Sequence, residues 1–288
     1  QTVVGQADGP ILVGESTSIE RLLKQIKQVA PLDTSVLLEG ESGTGKDLIA
    51  KIIHYHSARA KNRFFEVDCG ALPEQLLEST LFGYEKGAFT GAAKTTPGYL
   101  EEADRGTLFL DDITDMSPKL QSSLLRVLQD HTFSRLGSTR TSKTDFRLVC
   151  ATNKRLVEEV KEGRFRDDLY YRINVIGLTI PPLRLRRGDI ILLSSHFLSY
   201  FNIKFRKNVG PITPNAMRVM EGYSWPGNVR QLKHVIERVV ALHPGGPISS
   251  VHLEQIDHGL DWIEAGDGTV RPYEAERQDF DRDYLDRL

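Results

Sequence analysis

Cysteine is almost missing from the 288-residue chain: Cys69 and Cys150 are the only two, and they show none of the short spacings that bind zinc. A disulfide framework is therefore excluded, which fits a reducing compartment. Also missing is any run of roughly 18 apolar residues, the length a bilayer-spanning helix needs, and the first residues lack the basic-then-apolar order of an export signal. A cytoplasmic protein with no membrane segment is expected. Nor is there an excess of basic charge: 37 Lys and Arg against 39 Asp and Glu leave a net charge of -2. That balance gives no electrostatic footprint of a dedicated nucleic-acid domain, so any grip on DNA is expected from a segment not included here. Internal repeats and low-complexity tracts are absent too. The chain begins at Gln1 and stops at Leu288 within a helical pattern, as a piece of a longer protein would.

What is present is ample apolar material: 40% of the residues are hydrophobic, enough to bury a sizeable core and to predict about two domains. The runs SVLLEG (35–40), FFEVDC (64–69), GTLFLDD (106–112), DFRLVCATN (145–153) and NVIGLTI (174–180) have the near-continuous hydrophobicity of strands covered on both faces. Amphipathic stretches such as SIERLLKQIKQVA and SPKLQSSLLRVLQD lie between them. This alternation predicts an α/β fold, a mostly parallel sheet flanked by helices, over 1–182. After PPLRLRRGD (181–189) the strand signals fade. DIILLSSHFLSYF, TPNAMRVMEGY with Thr213 as N-cap and Pro214 in the first turn, GNVRQLKHVIERVVAL and SSVHLEQI predict a small all-helical domain over 183–258. Residues 259 to about 271 read as a glycine-rich acidic linker, and a helical pattern resumes over 272–288.

GESGTGKD, from Gly40 through Glu41, Ser42, Gly43, Thr44, Gly45 and Lys46 to Asp47, directly follows the strand SVLLE and precedes a helical stretch. That is the context of a phosphate-binding loop: backbone N–H groups converge on phosphate oxygens at a helix N-terminus, and Lys46 reaches the terminal phosphates. Asp47 stands where a Ser or Thr hydroxyl usually helps hold magnesium. TLFLDD then ends a strand in two carboxylates. Asp111 is placed to hold Mg2+, directly or through water, and Asp112 to polarise an attacking water. At the next strand end, Thr152 and Asn153 could sense the terminal phosphate or orient water, although Thr-Asn after a strand is also ordinary turn chemistry. Arg164, Arg166 and Arg172 cluster near a helix; most such arginines are merely solvated, and one becomes catalytic when inserted against a phosphate.

One loop looks too greasy for a soluble protein. In GYEKGAFTGAAK (83–94), Gly87 and Gly91 bracket Phe89 and Thr90, putting an aromatic at the tip of a segment whose flanks favour turns.

Taken in order, GESGTGKD, LPEQLLESTLFGYEKGAFTGA, GTLFLDDI, FRDDLYYRINV, PPLRLRRGDI and WPGNVRQL resemble the central AAA+ ATPase domain of the bacterial sigma-54-dependent transcriptional activators, from about Leu12 to Leu260. The GAFTGA stretch, Gly87, Ala88, Phe89, Thr90, Gly91 and Ala92, is close to diagnostic. The resemblance implies that this loop projects from a ring and touches the sigma-54 factor when ATP is bound, which would explain an exposed Phe89. It further implies Val13 and Gly14 in the adenine pocket, Gly40 to Asp47 on phosphates, and Asp111 on magnesium. Asp112 would take the catalytic position, and Thr152 and Asn153 the first sensor. Arg166 and Arg172 would be trans-acting arginines, and Arg230 of WPGNVRQL the second sensor on a helical lid. The implied unit is a ring, six subunits with seven as the alternative, acting on sigma-54 RNA polymerase holoenzyme. EAERQDFDRDYLDRL resembles the entry into a helix-turn-helix domain that would read enhancer DNA, so 259–288 would be linker and the start of that domain.

Two positions depart from the family pattern. Asp112 stands where most relatives have Glu; losing one methylene withdraws the carboxylate by roughly 1.5 Å, and misplacement of about 1 Å can cost on the order of a hundredfold in rate. Asp68 stands where the family generally has an Asn that hydrogen-bonds that Glu. An ionised Asp68 cannot donate, so either Asp68 and Asp112 share a proton or a third group bridges them. The competing readings are another AAA+ machine, such as an unfoldase or helicase, which would lack GAFTGA, and a regulatory ATP-binding module with negligible hydrolysis because of Asp112.

Overall fold

The structure is a computed structural model in which residues 9–256 are described; the helical pattern at 272–288 lies outside them. The chain divides into two compact units. One takes in Ser18–Pro181, and the other joins Val13–Thr17 to the residues from Pro182 onward.

In the α/β unit, α1 (Thr17–Val29) leads to β1 (Val36–Glu39), α2 (Lys46–Tyr55), β2 (Phe64–Asp68) and α3 (Glu74–Phe82). Two short pairing segments follow, β3 (Gly83–Tyr84) and β4 (Thr96–Pro97), then α4 (Tyr99–Glu102), β5 (Thr107–Asp111) and α5 (Pro118–Asp130). A hairpin of β6 (Thr132–Ser134) and β7 (Thr141–Lys143) precedes β8 (Arg147–Thr152), α6 (Leu156–Lys161), α7 (Asp167–Ile173) and β9 (Ile176–Thr179).

The five long strands form one parallel sheet in the order β2-β5-β8-β1-β9. The near-continuous apolar runs follow from burial of both faces. Leu37, Leu108, Leu110, Leu148 and Cys150 point into a core shared with α3, α5 and α7. Their alternates Val36, Leu38, Phe109, Val149 and Ala151 point into a second core shared with α1 and α2. Ser117 caps α5, accepting the Leu120 N–H at 3.3 Å ahead of Pro118. Arg147, at the start of β8 and 3% exposed, donates to the carbonyls of Val29 (3.0 Å) and Ala30 (2.6 Å) and so closes the end of α1 with a cation.

The second unit contains α8 (Gly188–Phe205), β10 (Val209–Ile212), α9 (Pro214–Gly222), α10 (Asn228–Leu242), β11 (Gly246–Ile248) and α11 (Ser250–Ile256). Its helices pack around Trp225, which is fully buried and donates its indole N–H to Met220 O at 2.7 Å. Thr213 caps α9, accepting the Ala216 N–H, with Pro214 in the first turn as its sequence predicts. The short parallel pair β10–β11 had no apolar signature, because only two register pairs are formed. Val13–Thr17 joins this unit although it precedes β1. The reason is Asp189, whose buried carboxylate accepts hydrogen bonds from Glu15 N, Ser16 N and Ser16 Oγ. Among the described residues, no helix is long and apolar enough to cross a membrane.

Candidate nucleotide site and projecting loop

In a parallel sheet the strand C-termini share one edge, where ligand sites form. The loop after β1 is seated there: Gly40 N donates to Thr152 O at 3.2 Å at the end of β8. The chain then turns through left-handed Gly43 (φ 76) and Gly45 (φ 97) into α2, aiming that helix's unpaired N–H groups at the loop. Thr44 Oγ1 donates to Glu41 O at 2.7 Å. Lys46, the first residue of α2 and 7% exposed, folds over the loop and donates to Gly40 O (3.0 Å) and Glu41 O (3.3 Å). Ser42 and Asp47 are exposed, and the Asp47 charge lies in the first turn, where the helix dipole favours it.

Asp111 closes β5 opposite Asp68 at the end of β2. Its Oδ1 accepts the Asp112 N–H at 3.0 Å. Burial pushes the Asp111 carboxyl above its usual range, and repulsion from Asp112 adds to this against the attraction of Lys46. Asp112 sits in a left-handed conformation (φ 48, ψ 52), and its Oδ1 is buried with no hydrogen-bond partner. Its carboxyl is raised chiefly by burial; Lys46 pulls it back, while Asp115 and then Asp68 push it up.

The expected link between Asp68 and Asp112 is not made. Asp68 is exposed, and its Oδ1 accepts the N–H groups of Gly70 (2.9 Å) and Ala71 (3.0 Å) in its own turn. No hydrogen bond and no bridging side chain joins it to Asp112 among the described residues. The stronger acid neighbour of Asp112 is Asp115, which pairs with Lys154 at 3.5 Å. Neither Asp115 nor Lys154 belongs to a sequence motif that would have pointed to it.

Thr152 is fully buried, and its hydroxyl serves the turn that follows, accepting Lys154 N at 3.0 Å. It meets the loop after β1 through its carbonyl, which accepts the Gly40 N–H. Asn153 is exposed, and its main-chain N–H helps hold the Asp112 charge. Glu39 was also passed over: at the foot of the loop it accepts the Leu156 N–H at 3.0 Å, joining the end of β1 to the start of α6. A carboxylate closing an otherwise buried strand was the signal available in the sequence.

The arginines are exposed and engaged. Arg166, the N-cap residue of α7, forms a bidentate pair with Asp168 (2.9 and 2.6 Å) and donates to Ser122 Oγ at 3.1 Å. Arg172 donates to Leu128 O at 2.7 Å. Arg164 pairs with Glu159 at 2.7 Å and also with Glu162. Val13, half-buried, and Gly14, buried, lie in the second unit, as does exposed Arg230 in the first turn of α10.

The GAFTGA segment is a compact turn: Gly87 (φ 84) and Gly91 (φ 101) are left-handed, Gly87 N donates to Ala92 O at 2.9 Å, and Ala92 N to Phe89 O at 3.0 Å. Ala92 is buried beneath, while Thr90 and Phe89 face outward. Phe89 is 44% exposed and rests edge-on against Tyr84 with ring centroids 5.0 Å apart, so it does not fold into the core. Arg135 braces the base, bonding Glu85 at 3.0 Å and Glu101 at 2.8 Å, and the β6–β7 hairpin brings Gly137 against Ala88 so closely that a Cβ there would lie 2.9 Å away. Neither Arg135 nor the hairpin had a sequence signal.

Residues 12–179 match the family described as the sigma-54 interaction domain, and residues 184–258 match the AAA+ ATPase lid domain. The chain is 50% identical over 242 residues to the regulatory protein AtoC of Escherichia coli, covering 84% of this chain and 52% of AtoC. It is 49% identical to the Nif-specific regulatory protein of Herbaspirillum seropedicae, covering 84% of this chain and 45% of that protein. It thus spans about half the length of the curated relatives it matches. Crystalline NtrX from Brucella abortus in complex with ATP superposes with a TM-score of 0.79 at 35% identity, over 86% of this chain and 55% of NtrX. The Thermotoga maritima RuvB branch-migration motor, 16% identical with a TM-score of 0.55 over 85% of this chain and 69% of RuvB, shares the fold.

Proposed function

The chain belongs to the sigma-54 interaction domain family, and from that premise we propose that it is the ATP-hydrolysing segment of an activator that remodels sigma-54 RNA polymerase holoenzyme to open promoters. One observation carries this reading. A single α/β unit holds both a phosphate cradle with acids at adjoining strand ends and an outward-facing aromatic loop on a braced base.

The donor set suits a magnesium nucleotide: the carboxylates of Asp111 and Asp112 both feel the attraction of the Lys46 ammonium, and Asp112 Oδ1 is buried without a hydrogen-bond partner. Asp111 would hold magnesium, and bound magnesium supplies neutralisation of charge on the β- and γ-phosphates. The chain's own residues do the rest. Backbone N–H groups of Gly40 to Asp47 bind the phosphates, and Lys46 exchanges the carbonyls of Gly40 and Glu41 for the terminal ones. Asp112 accepts the proton of the attacking water as its oxygen bonds to the γ-phosphorus and the bond to the β-phosphate oxygen breaks. Asn153 orients that water, with Thr152 holding the strand end through its backbone. Val13 and Gly14 serve the adenine, and Arg230 acts as second sensor. Arg166 and Arg172 serve a neighbouring subunit's phosphate in a ring of six, or seven, after Arg166 leaves Asp168. Gly87 to Ala92 contact the sigma factor through Phe89 and Thr90. A DNA-reading domain beyond this segment would tether the activator to enhancer sites.

The test is steady-state ATP turnover per protomer against protein concentration, with Arg166→Ala beside it. Turnover that rises with concentration and disappears in the variant is expected. Flat, near-zero turnover despite tight ATP binding would overturn the hydrolytic reading in favour of a regulatory ATP-binding module. The shortened, raised-pKa Asp112 is the observation behind that second reading.

A further inference from the structure

Asp189 is fully buried and lies in the first turn of α8, yet its carboxylate is directed at main chain 173 and 174 positions earlier. Oδ1 accepts Glu15 N at 2.7 Å and Ser16 N at 2.9 Å, and Oδ2 accepts Ser16 Oγ at 2.7 Å. Burying a carboxylate is unfavourable unless donors replace its water. Here three do, and the α8 N-terminus and the attraction of Arg186, 3% exposed, favour the charge as well. The clamped residues directly follow Val13 and Gly14.

We propose that Asp189 is a positioning residue for base recognition: by fixing Glu15 and Ser16 it holds Val13–Gly14 to the helical unit, so that adenine meets a preformed segment. This rests on the reading of Val13–Gly14 as the adenine segment. Preformation acts on affinity, because a ligand that must order its own contact segment loses that ordering free energy from binding. The base alone should feel the clamp. The triphosphate is assigned to Gly40 to Asp47, whereas the hydrogen bonds that Asp189 accepts come from Glu15 and Ser16.

The experiment is isothermal titration of the full chain with ATP and, separately, with inorganic tripolyphosphate, for the unaltered protein, Asp189→Ala, Asp189→Asn and Ser16→Ala. For Asp189→Ala, ATP binding is expected to weaken about tenfold while tripolyphosphate changes by less than about twofold. Asp189→Asn should fall between, since its amide oxygen still accepts both backbone N–H groups. Ser16→Ala, which removes one donor, should weaken ATP roughly two- to threefold and decides the matter if Asp189→Ala does not fold. Unchanged ATP affinity, or equal weakening of both ligands, overturns the proposal. If the unaltered protein binds ATP no tighter than tripolyphosphate, the adenine reading of Val13–Gly14 itself fails. Discrimination that survives in every variant instead condemns Asp189 alone.

Discussion

Two loops of this protein are built from the same glycine device and do opposite things with it. The phosphate loop has left-handed glycines at 43 and 45; the projecting loop has them at 87 and 91. The first closes inward on Lys46, which is 7% exposed, and the second turns Phe89 outward to 44% exposure. The difference lies in the flanks. Gly40–Gly45 joins the end of an interior strand of the sheet to a ten-residue helix, so its N–H groups converge and a cation sits among its carbonyls. Gly87–Ala92 hangs between two-residue strands, bonds mainly to itself, and is held at its base by ion pairs at the surface. A glycine pattern sets the turn, and the elements on either side decide whether that turn becomes a cradle or a finger.

The contrast breaks most readily at Lys46. Lys46→Ala removes the cation seated among the loop carbonyls and, on the proposed function, is expected to lower ATP turnover roughly 100- to 1000-fold in steady-state assays. Phe89→Ala should leave basal turnover within about twofold and fail in sigma-54 remodelling, since its ring is 44% exposed and rests edge-on against Tyr84.

Matched glycine changes sharpen the same contrast. A Cβ at Gly45 or Gly87 meets nothing within 4 Å, so Gly45→Ala and Gly87→Ala introduce only left-handed strain, about 1–2 kcal/mol each. Equal strain should give unequal readouts: about tenfold weaker ATP binding for Gly45→Ala, and intact ATP binding with weakened sigma-54 contact for Gly87→Ala.

Asp112 adds a pH signature that the projecting loop lacks. Its carboxyl titrates above the usual range, chiefly through burial, so its proton-accepting form is lost at higher pH than for an ordinary carboxylate. Turnover should fall as pH drops through that raised value. The linkage has the opposite sign for stability: a pKa higher in the folded than in the unfolded chain means the charged form destabilises the fold at neutral pH. Asn also tolerates left-handed backbone, so Asp112→Asn should abolish turnover while raising Tm by about 2 °C in calorimetry.

The smallest effect is expected at Arg135. Its partners Glu85 and Glu101 are partly exposed, so Arg135→Ala should cost less than about 1 kcal/mol of stability. Turnover should change by less than threefold, while hydrogen exchange quickens at residues 85–92.

What could be read from the sequence was what short-range pattern determines. The strands at 36–39, 107–111 and 147–152 were legible because burial of both faces leaves no polar alternation. Thr213 and Pro214 signalled a cap whose partner lies three residues on, and GESGTGKD carries its own turn geometry. The β6–β7 hairpin was not legible, because TFS and TSK are short and largely polar. Nor was the posture of Asp68: its neighbours Gly70 and Ala71 offered it N–H groups nearer than Asp112, and local turn chemistry prevailed over the cross-strand pairing expected of it. Asp189 was equally hidden, since its donors lie 173 and 174 residues away and no periodicity reaches that far.

That last feature bears on how the protein can be cut. Excision at Pro182, the natural place by sequence order, would leave the C-terminal piece with an anionic Asp189 stripped of its three donors, and the N-terminal piece with a strand of main chain whose acceptor is gone. A soluble helical unit would instead need residues 13–17 returned to it, as a fused leader or by circular permutation. In evolutionary terms the two units are then interleaved along the gene, and an exchange of lids between relatives must carry both stretches of coding sequence together.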